Sequence, residues 1–445
     1  MAFAPRPLQS SPYHLMHGGC MTEKVNRKVV ISGMLGNGLE WYDYALYGIL
    51  APIFSHLFFP PAGPDDDGTS GLIKAYLAFA VGFVFRPLGA VIFGRIGDKY
   101  GRKKALVTSM IMMAVATGCL GLLPTYAMIG MGAPILLVLI RIIQGISLGG
   151  AFSGSMSYVV EHAPANRRAK IGSVTMLSLV IGFLLGSVVA NITSSVLGQA
   201  AFESWGWRLP FFVGVGIGFV GHYIRHHGEE SPAFTEAKES GGLSDRPVRD
   251  AFCKYPLKMF QGFNFYLCVT IPFYLLAIYM ISYTSQYLGM SNSEALRINS
   301  IAMVAMFLPM WWAGGLSDRI GRKKVLYGAI IGLMLLAYPC FELMQSGEFV
   351  KIAAAQAALA FMVGIYMAPI PALLVELYPT RIRYTGMSLS YNFCAIIGGL
   401  TPTISVWLIN RTGDNSSIMY LLLLAGAGSF LALLTYKDLY KEPLH

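Results

Sequence analysis

Hydrophobic residues in this chain are grouped in long runs with few polar positions. Val174–Ala190 and Tyr420–Leu434, for example, contain no Asp, Glu, Lys or Arg. A helix needs roughly 20 mainly apolar residues to cross the ~30 Å hydrocarbon core of a bilayer. A membrane β-strand would instead alternate with a period of two, which these runs do not show. The pattern therefore predicts membrane-spanning helices, which satisfy their own backbone hydrogen bonds in lipid.

About twelve segments of this kind occur along the chain, which predicts an all-α membrane protein with twelve transmembrane helices. Their predicted starts lie near Val29, Leu72, Ala105, Ile135, Ile171, Leu209, Met259, Ile298, Val325, Ile352, Thr385 and Met419. Because the number of spans is even, both ends of the chain are expected on the same side of the membrane.

The composition supports a membrane protein and excludes several other classes. Hydrophobic residues make up 55% of the chain and charged residues 13%, with a mean hydropathy of +0.56, whereas soluble domains carry roughly 25% charged residues. The six cysteines are far apart and lack metal-binding spacing, so no metal site is predicted. A secreted disulfide scaffold, a disordered chain and a cytosolic enzyme are all excluded.

The net charge of +10 reflects membrane topology, so nucleic acid is not an expected partner. Of the 33 Lys and Arg residues, 26 fall in the N-terminal segment and alternate loops, and five fall in the remaining loops. Cytoplasmic loops carry the excess of Lys and Arg, so both termini are predicted to be cytoplasmic. The expected partners are the lipid bilayer, a small-molecule substrate and protons, and the chain is expected to function as a monomer.

Two sequence patterns each occur twice, which predicts two halves. Gly94–Lys104 follows the second span, and Gly314–Lys324 repeats its pattern 220 positions later. At an offset of 215, Glu161, Pro164 and Arg168 correspond to Glu376, Pro379 and Arg383. The predicted divisions are a cytoplasmic N-terminal segment (1–28), a six-helix half (29–226), a cytoplasmic linker (227–256), a second six-helix half (257–436) and a cytoplasmic tail (437–445). Parallel halves of this kind are typical of transporters in which one half rocks against the other.

The repeated pattern G-x-x-x-D-x-x-G-R-K-K resembles the signature of the major facilitator superfamily, and Arg141–Gly149 resembles its fourth-helix motif. Gly38–Tyr44 and Arg86–Gly89 resemble the metabolite:proton symporter family, which includes bacterial proline/betaine, α-ketoglutarate, citrate and shikimate transporters. The resemblance covers residues from about 25 to 436. It implies two pseudo-symmetric six-helix halves around a central cavity, in the inner membrane of a bacterium, driven by a proton gradient without a cofactor.

Four ionisable residues are predicted to lie well inside spans: Glu40, Asp43, Arg86 and Arg141. A charge at mid-bilayer costs at least ~2.5–3.5 kcal/mol on insertion scales, so such groups usually border an ion or substrate path. Glu40 and Asp43 are neighbours on one helix face. We expect one of them to carry the proton, with a pKa that is raised on desolvation and lowered on meeting Arg141. A permanent structural ion pair is the alternative, but buried pairs add little net stability.

Arg86 and Arg141 are also candidate anchors for a substrate carboxylate, which a guanidinium binds bidentately. Arg86 lies nearer the predicted cytoplasmic end and could equally belong to a gate. The other candidate substrate-binding residues are polar or aromatic: Asn37, Tyr44, Gln144, Tyr274, Tyr279, Tyr391 and Asn392. An aromatic wall could hold a quaternary ammonium by cation–π attraction. An interfacial aromatic belt is the favoured interpretation for Tyr283 and Tyr287.

The resemblance implies that the repeated signature forms a cytoplasmic gate. Asp98 is expected to meet the amino end of the eleventh helix near Tyr384–Gly386, where a helix dipole stabilises an anion, and the second copy is expected to repeat the arrangement. The predicted gate residues are Gly94, Asp98, Gly101, Arg102, Lys103, Glu161, Arg168, Asp318, Arg322, Glu376 and Arg383. A merely topogenic basic loop is the alternative, and the Gly/Asp spacing argues against it.

The predicted function is secondary active transport: proton-coupled uptake of a small carboxylate-bearing metabolite or osmolyte by alternating access. Two enzyme-like motifs, Gly145–Gly149 and Gly216–Gly221, lie inside apolar helices without the strand they need. They are interpreted as small residues that allow close helix packing, so an enzyme is not expected. A proton-independent facilitator or exchanger is the main alternative, and a transporter-like sensor a weaker one. Both zwitterionic osmolytes and di- or tricarboxylates fit the two acidic and two basic cavity charges.

Overall fold

The computed structural model describes residues 37–38, 41–43, 45–60, 68–100, 102–149, 151–161, 163–226, 247–379, 383–442 and 444. Within these ranges the chain is helical, with short turns and no β-strand. The first half forms α1 (helical residues 37–38, 41–43 and 45–49, then Ala51–Phe58), α2 (Thr69–Val84 and Arg86–Tyr100), α3 (Arg102–Gly121), α4 (Gly132–Leu148 and Ala151–Glu161), α5 (Arg168–Leu197) and α6 (Leu209–His226). Short helices Tyr126–Ile129 and Gln199–Ser204 and the 3₁₀ turns Ala165–Arg167 and Gly206–Arg208 connect them.

The second half repeats the six-helix plan. Its helices are α7 (Pro256–Tyr274, π-helical Leu275–Tyr279, Met280–Ser282 and π-helical Tyr283–Tyr287), α8 (Asn292–Ile320), α9 (Arg322–Met344), α10 (Phe349–Met367 and Ile370–Leu377), α11 (Arg383–Thr412) and α12 (Met419–Thr435). Helix Pro247–Lys254 precedes α7, and the 3₁₀ turn Asn415–Ile418 precedes α12. Eight helices of the described chain are long and apolar enough to cross a membrane. The predicted twelve-helix, all-α architecture is confirmed.

Local sequence explains where several helices begin or break. Ser291 starts α8 with a capping box, because its side chain accepts from the Glu294 backbone while the Glu294 side chain reaches back to Ser291. Pro87 has no N–H to donate to the preceding turn, and α2 is interrupted just before it, at Phe85. Gly321 ends α8 with a φ of 102°, a backbone conformation that glycine adopts without strain.

The outer surface of the bundle is strongly apolar. Val196, Val350, Leu122 and Leu335 are each more than two-thirds exposed. A soluble monomer rarely presents so much apolar surface, whereas lipid tails are as apolar as these side chains. The exposed side chains therefore fit a surface that faces the bilayer.

The halves α1–α6 and α7–α12 pack together through α2 against α11 and α5 against α8. We call the end where α2 and α8 finish and α5 and α11 begin the signature end. There, Arg383 donates to Glu161 across the halves at 3.1 Å. At the opposite end the hydroxyls of Tyr76 and Ser282 are 2.6 Å apart. In the described chain the halves thus touch at both ends.

The predicted linker and tail are only partly described. Within the linker, 227–246 lies outside the described residues, while Pro247–Lys254 is helical and packs against α7 and α11. The tail does not extend away from the bundle. It lies against the start of α9, where the Lys323 backbone N–H donates to Asp438 at 3.0 Å.

Candidate functional site

A close crossing of α2 and α4 brings both buried arginines into the core. A Cβ added at Gly145 would overlap the Gly82 carbonyl, and one added at Gly149 would overlap the Arg86 carbonyl. Only glycine allows the two backbones to approach this closely. This geometry agrees with the packing interpretation of the Gly145–Gly149 motif. Arg86 and Arg141 are both 0% exposed.

Arg86 lies among aromatic rings and joins the two halves. Its guanidinium donates to the Tyr391 hydroxyl of α11 at 2.7 Å. The guanidinium carbon is 4.2 Å from the Phe83 ring centroid and 5.3 Å from that of Trp41. Tyr266 of α7 packs edge-on against Tyr391, with ring centroids 5.1 Å apart. A cation at this position is therefore surrounded by rings contributed by both halves.

Arg141 is held by a chain of polar contacts inside the first half. It donates to Gln144 at 2.7 Å and to the Phe79 carbonyl at 3.4 Å. Gln144 in turn donates to the Thr117 hydroxyl of α3 at 3.1 Å. The Arg141 guanidinium also lies 4.6 Å from the ring centroid of Tyr47. These contacts tie α1, α2, α3 and α4 to one guanidinium.

The described polar residues of α1 point in different directions. Asn37 donates to Ser178 of α5 at 2.7 Å, and its own side-chain oxygen is buried with no partner within the described part of the chain. Asp43 is buried against Gly214 of α6, where an added Cβ would overlap its carboxylate. The methyl group of Thr117 also lies beside Gly214. Asp43 is therefore close to the polar contacts that hold Arg141. Glu40 and Tyr44 lie outside the described residues.

The aromatic residues of α7 are buried against the first half. Tyr274 packs edge-on against Phe83, with ring centroids 5.2 Å apart, and Tyr279 lies 6.3 Å from the ring of Tyr76. Both face the interface between the halves. The two π-helical turns of α7 flank Met280–Ser282, and such turns often occur at functional sites.

The interfacial-belt interpretation is wrong for Tyr283. Its side chain is fully buried, and its hydroxyl accepts from Gln345 at 2.9 Å. The partly buried Tyr287 stacks on it with centroids 5.9 Å apart. A buried hydroxyl with a protein partner does not need the membrane interface, so this residue packs between helices of the second half.

Asn392 connects α11 to the interruption in α4. Its amide nitrogen donates to Ser388 at 2.9 Å and to the Gly149 carbonyl at 3.5 Å. Its side-chain oxygen is buried with no hydrogen-bond partner among the described residues. An unpaired buried acceptor costs free energy unless water or a ligand donates to it, so Asn392 is well placed to receive a donor from a bound molecule.

The second copy of the signature forms a buried charged network across the halves. Asp318 accepts the backbone N–H groups of Ala169 and Lys170, both at 2.9 Å, at the start of α5. Arg322 donates to Asp318 at 2.8 Å. It also binds both oxygens of Glu376, at 2.8 and 3.2 Å. A carboxylate at a helix N-terminus is favoured by the helix dipole, and the fork-to-fork Arg–Glu pair is a strong geometry.

Two further ion pairs complete the described part of this network. Arg168 lies 3.7 Å from Glu376, and Arg383 pairs with Glu161 while also donating to the Val375 carbonyl. The predicted gate residues Glu161, Arg168, Asp318, Arg322, Glu376 and Arg383 are thus brought together. The side chains at Gly94, Asp98, Gly101, Arg102 and Lys103 lie outside the described residues, so the first copy of the gate stays a prediction.

Several residues at the site were not among the sequence candidates. Thr117 and Phe79 hold Arg141, Trp41 packs on Arg86, and Tyr76 meets Ser282 at the opposite end. Trp41 lies within the Gly38–Tyr44 motif, so the sequence could have identified it as a candidate site residue. The others occupy apolar runs, where sequence does not show which face of a helix meets a neighbour.

Known proteins match this chain over nearly its whole length. The model of the Major Facilitator Superfamily matches residues 34–402 and 263–444. The proline/betaine transporter of Escherichia coli (strain K12) is 34% identical over 427 residues, which cover 94% of this chain and 85% of that protein. A glycine betaine/proline/ectoine/pipecolic acid transporter of Dickeya dadantii (strain 3937) is 35% identical, with coverage of 94% and 84%.

A solved structure shares the fold. The major facilitator proton:xylose symporter bound to 6-bromo-6-deoxy-D-glucose superposes with a TM-score of 0.73 at 18% identity, covering 94% of this chain and 97% of that one. At this level of identity the likeness concerns the fold alone.

Proposed function

Because this chain belongs to the major facilitator superfamily, we propose that it takes up a small zwitterionic osmolyte of the proline or betaine type together with protons. The proton gradient drives uptake, and no cofactor takes part. The protein works as a monomer in the inner membrane of a bacterium, with the signature end in the cytoplasm. The proposed mechanism is alternating access, in which the two halves open first at one end and then at the other.

The observation that carries this proposal is a fully buried guanidinium surrounded by aromatic rings at the interface between the halves. Arg86 supplies a cation for the substrate carboxylate, and charge-assisted pairs of this kind are the stronger class of hydrogen bond. The rings of Phe83, Trp41 and Tyr391 lie within 4.2 to 5.7 Å of its guanidinium carbon. Aromatic faces also attract a quaternary or secondary ammonium.

The zwitterion is favoured over a di- or tricarboxylate for two reasons. The similar proteins from Escherichia coli and Dickeya dadantii are named for proline and betaine-type substrates. The second guanidinium, Arg141, already contacts Gln144 and the Phe79 carbonyl, so one arginine is better placed than two to bind substrate. One carboxylate and one ammonium then match one arginine and the surrounding rings.

Proton coupling is assigned to the carboxylates of α1, with Arg141 as the partner. Asp43 and Thr117 both line Gly214, and Thr117 accepts from the Gln144 that binds Arg141. Desolvation favours the neutral form of a carboxylate, and a nearby guanidinium favours its ionised form. Movement of α1 relative to α4 thereby changes proton affinity. Glu40 is the second candidate for the same role.

The contacts at the two ends supply the gates. Asp318 and Arg383 hold the halves together at the signature end, and the Tyr76–Ser282 pair does so at the opposite end. Alternating access requires each set to break while the other persists. The buried charges of the signature end gain water when that end opens, which offsets the lost ion pairs.

The proposal is tested by uptake into proteoliposomes with an imposed proton gradient. Labelled proline, betaine, α-ketoglutarate, citrate and shikimate are supplied separately, and we expect gradient-stimulated uptake of proline or betaine that a protonophore abolishes. Equal uptake with and without the gradient would instead establish a facilitator or exchanger. Uptake of the carboxylates without proline or betaine would refute the assigned substrate class.

A further inference from the structure

The segment after α12 lies across the gate at the signature end. We call Tyr436–Glu442 the strap. It has no helix of its own, yet Tyr436 is 3% exposed and Asp438 is partly buried. A short turn, in which the Glu442 backbone N–H donates to Leu439 at 2.9 Å, shapes its far end. A segment outside the bundle that makes such contacts is held in a defined position.

One end of the strap is fixed to the second half. The Asp438 carboxylate accepts the backbone N–H of Lys323 at 3.0 Å, and the Lys323 ammonium donates to the Tyr436 carbonyl at 3.0 Å. Asp438 therefore caps the amino end of α9, where an anion is favoured. Gly321 makes room for it, because an added Cβ would meet the Asp438 carboxylate.

The other end of the strap reaches the first half. Arg168, the first residue of α5, donates to the Glu442 carbonyl at 2.8 Å. The same guanidinium lies 3.7 Å from Glu376 of α10. Tyr440 lies between the two anchors, with its ring centroid 6.0 Å from the Arg322 guanidinium carbon. The strap thus follows the charged network and spans the joint between the halves.

Opening of the signature end would affect the two anchors differently. Lys323 and Tyr436 belong to the second half, and Asp438 is bonded to Lys323, so this anchor keeps its contacts when the halves separate. Arg168 moves away with α5, so its bond to Glu442 exists only when the end is closed. A contact made in one state and lost in the other biases the equilibrium between them.

We infer that the strap stabilises the closed signature end, and that Asp438 is the positioning residue that keeps the strap in reach of Arg168. The inference rests on the alternating access proposed above. The bond that the strap supplies comes from a charged guanidinium, so loss of the strap should lower the ratio of closed to open molecules roughly tenfold. The strap therefore adjusts the gate, while Asp318 and Glu376 form it.

The test uses spin-label distances in the full chain, reconstituted in lipid nanodiscs on a cysteine-free background. One label pair, at Asn166 and Lys324, reports on the signature end, and a second, at Gln199 and Val350, reports on the opposite end. For D438A we expect a larger long-distance population in the first pair and a smaller one in the second. D438N retains an oxygen that accepts from Lys323, and we expect it to restore the wild-type distribution.

The matched control is K437Q, which removes an exposed ion pair to Glu442 within the same strap and should change neither distance. A merely structural role for Asp438 would broaden both pairs without the opposite shifts. That result, or wild-type distances in D438A, would overturn the inference. Because the distances are read without transport, the outcome does not depend on whether the proposed substrate is taken up.

Discussion

Replacing Asp318 by Asn should open the signature end. The carboxylate accepts two backbone N–H groups of α5 and one guanidinium bond from Arg322, all between 2.8 and 2.9 Å. Asn keeps the shape but has no charge, and its single side-chain oxygen replaces two equivalent oxygens. One bond to α5 is therefore lost, and the other is weakened.

The size of the effect follows from these contacts. A hydrogen bond to a charged group contributes about 1.5–3 kcal/mol, and a carboxylate at a helix N-terminus contributes about 0.3–1 kcal/mol in ordinary cases. Arg322 keeps Glu376 as a partner, so its own charge stays compensated. The closed state of D318N should lose about 2–3 kcal/mol, which corresponds to a roughly 30- to 150-fold change in the ratio of closed to open molecules.

Spin-label distances between Asn166 and Lys324 measure this ratio directly, and initial uptake rates should fall in parallel because the outward-open state becomes rare. D414N is the matched control. Asp414 also caps a helical turn, accepting from Ser416 at 2.8 Å, but its cap lies within the second half. If D318N kept wild-type distances and an uptake rate within about twofold of the parent, the gate assignment would be refuted.

Three further predictions concern the core. R86K should raise the KM for a carboxylate substrate about tenfold or more, because a lysine lacks the planar fork; concentration-dependent uptake measures this, and an unchanged KM would contradict the assignment. Of E40Q and D43N, the variant that removes the proton carrier should lose uptake driven by a proton gradient yet still exchange substrate. A variant that retains gradient-driven uptake excludes its residue from the role of proton carrier. G145A should destabilise the protein by about 1–3 kcal/mol through overpacking, and this should lower its melting temperature in detergent. G216A is the control, because nothing lies within 4 Å of the added Cβ, and it should melt no lower than the parent.

The sequence was sufficient for the described helices from α2 onward and for the repeat, while the predicted start near Val29 lies outside the described residues. Long apolar runs do not depend on tertiary context for their interpretation, so the predicted starts near Leu209, Val325 and Met419 agree closely with α6, α9 and α12. The repeat at Gly314–Lys324 also pointed to a charged gate that includes Asp318, Arg322 and Glu376, through its resemblance to the major facilitator signature. What the repeat did not show is that Glu376 accepts from the Nε and Nη2 atoms of Arg322 while Asp318 accepts from Nη1.

The side-chain partners of the site were less accessible to sequence reasoning. Thr117 and Gln144 belong to different helices, and no periodicity shows that their side chains meet. The error at Tyr283 has the same origin, since a stripe of tyrosines shows that a helix has an aromatic face but not whether lipid or protein covers it. Its partner Gln345 lies 62 residues away.

Under the proposed alternating access, the chemistry of the gate explains how a proton and a small solute shift the balance between the two states. Replacing a buried ion pair by well-packed apolar residues is often neutral or even stabilising, so the network of Asp318, Arg322 and Glu376 is not a deep energy minimum. When the signature end opens, water replaces the lost partners, and the free energies of the two states remain close. Every 1.4 kcal/mol then changes the ratio of states tenfold. Under the proposed mechanism, protonation of an α1 carboxylate, a zwitterion bound at Arg86 and the hydrogen bond from the strap each shift the balance between the two states.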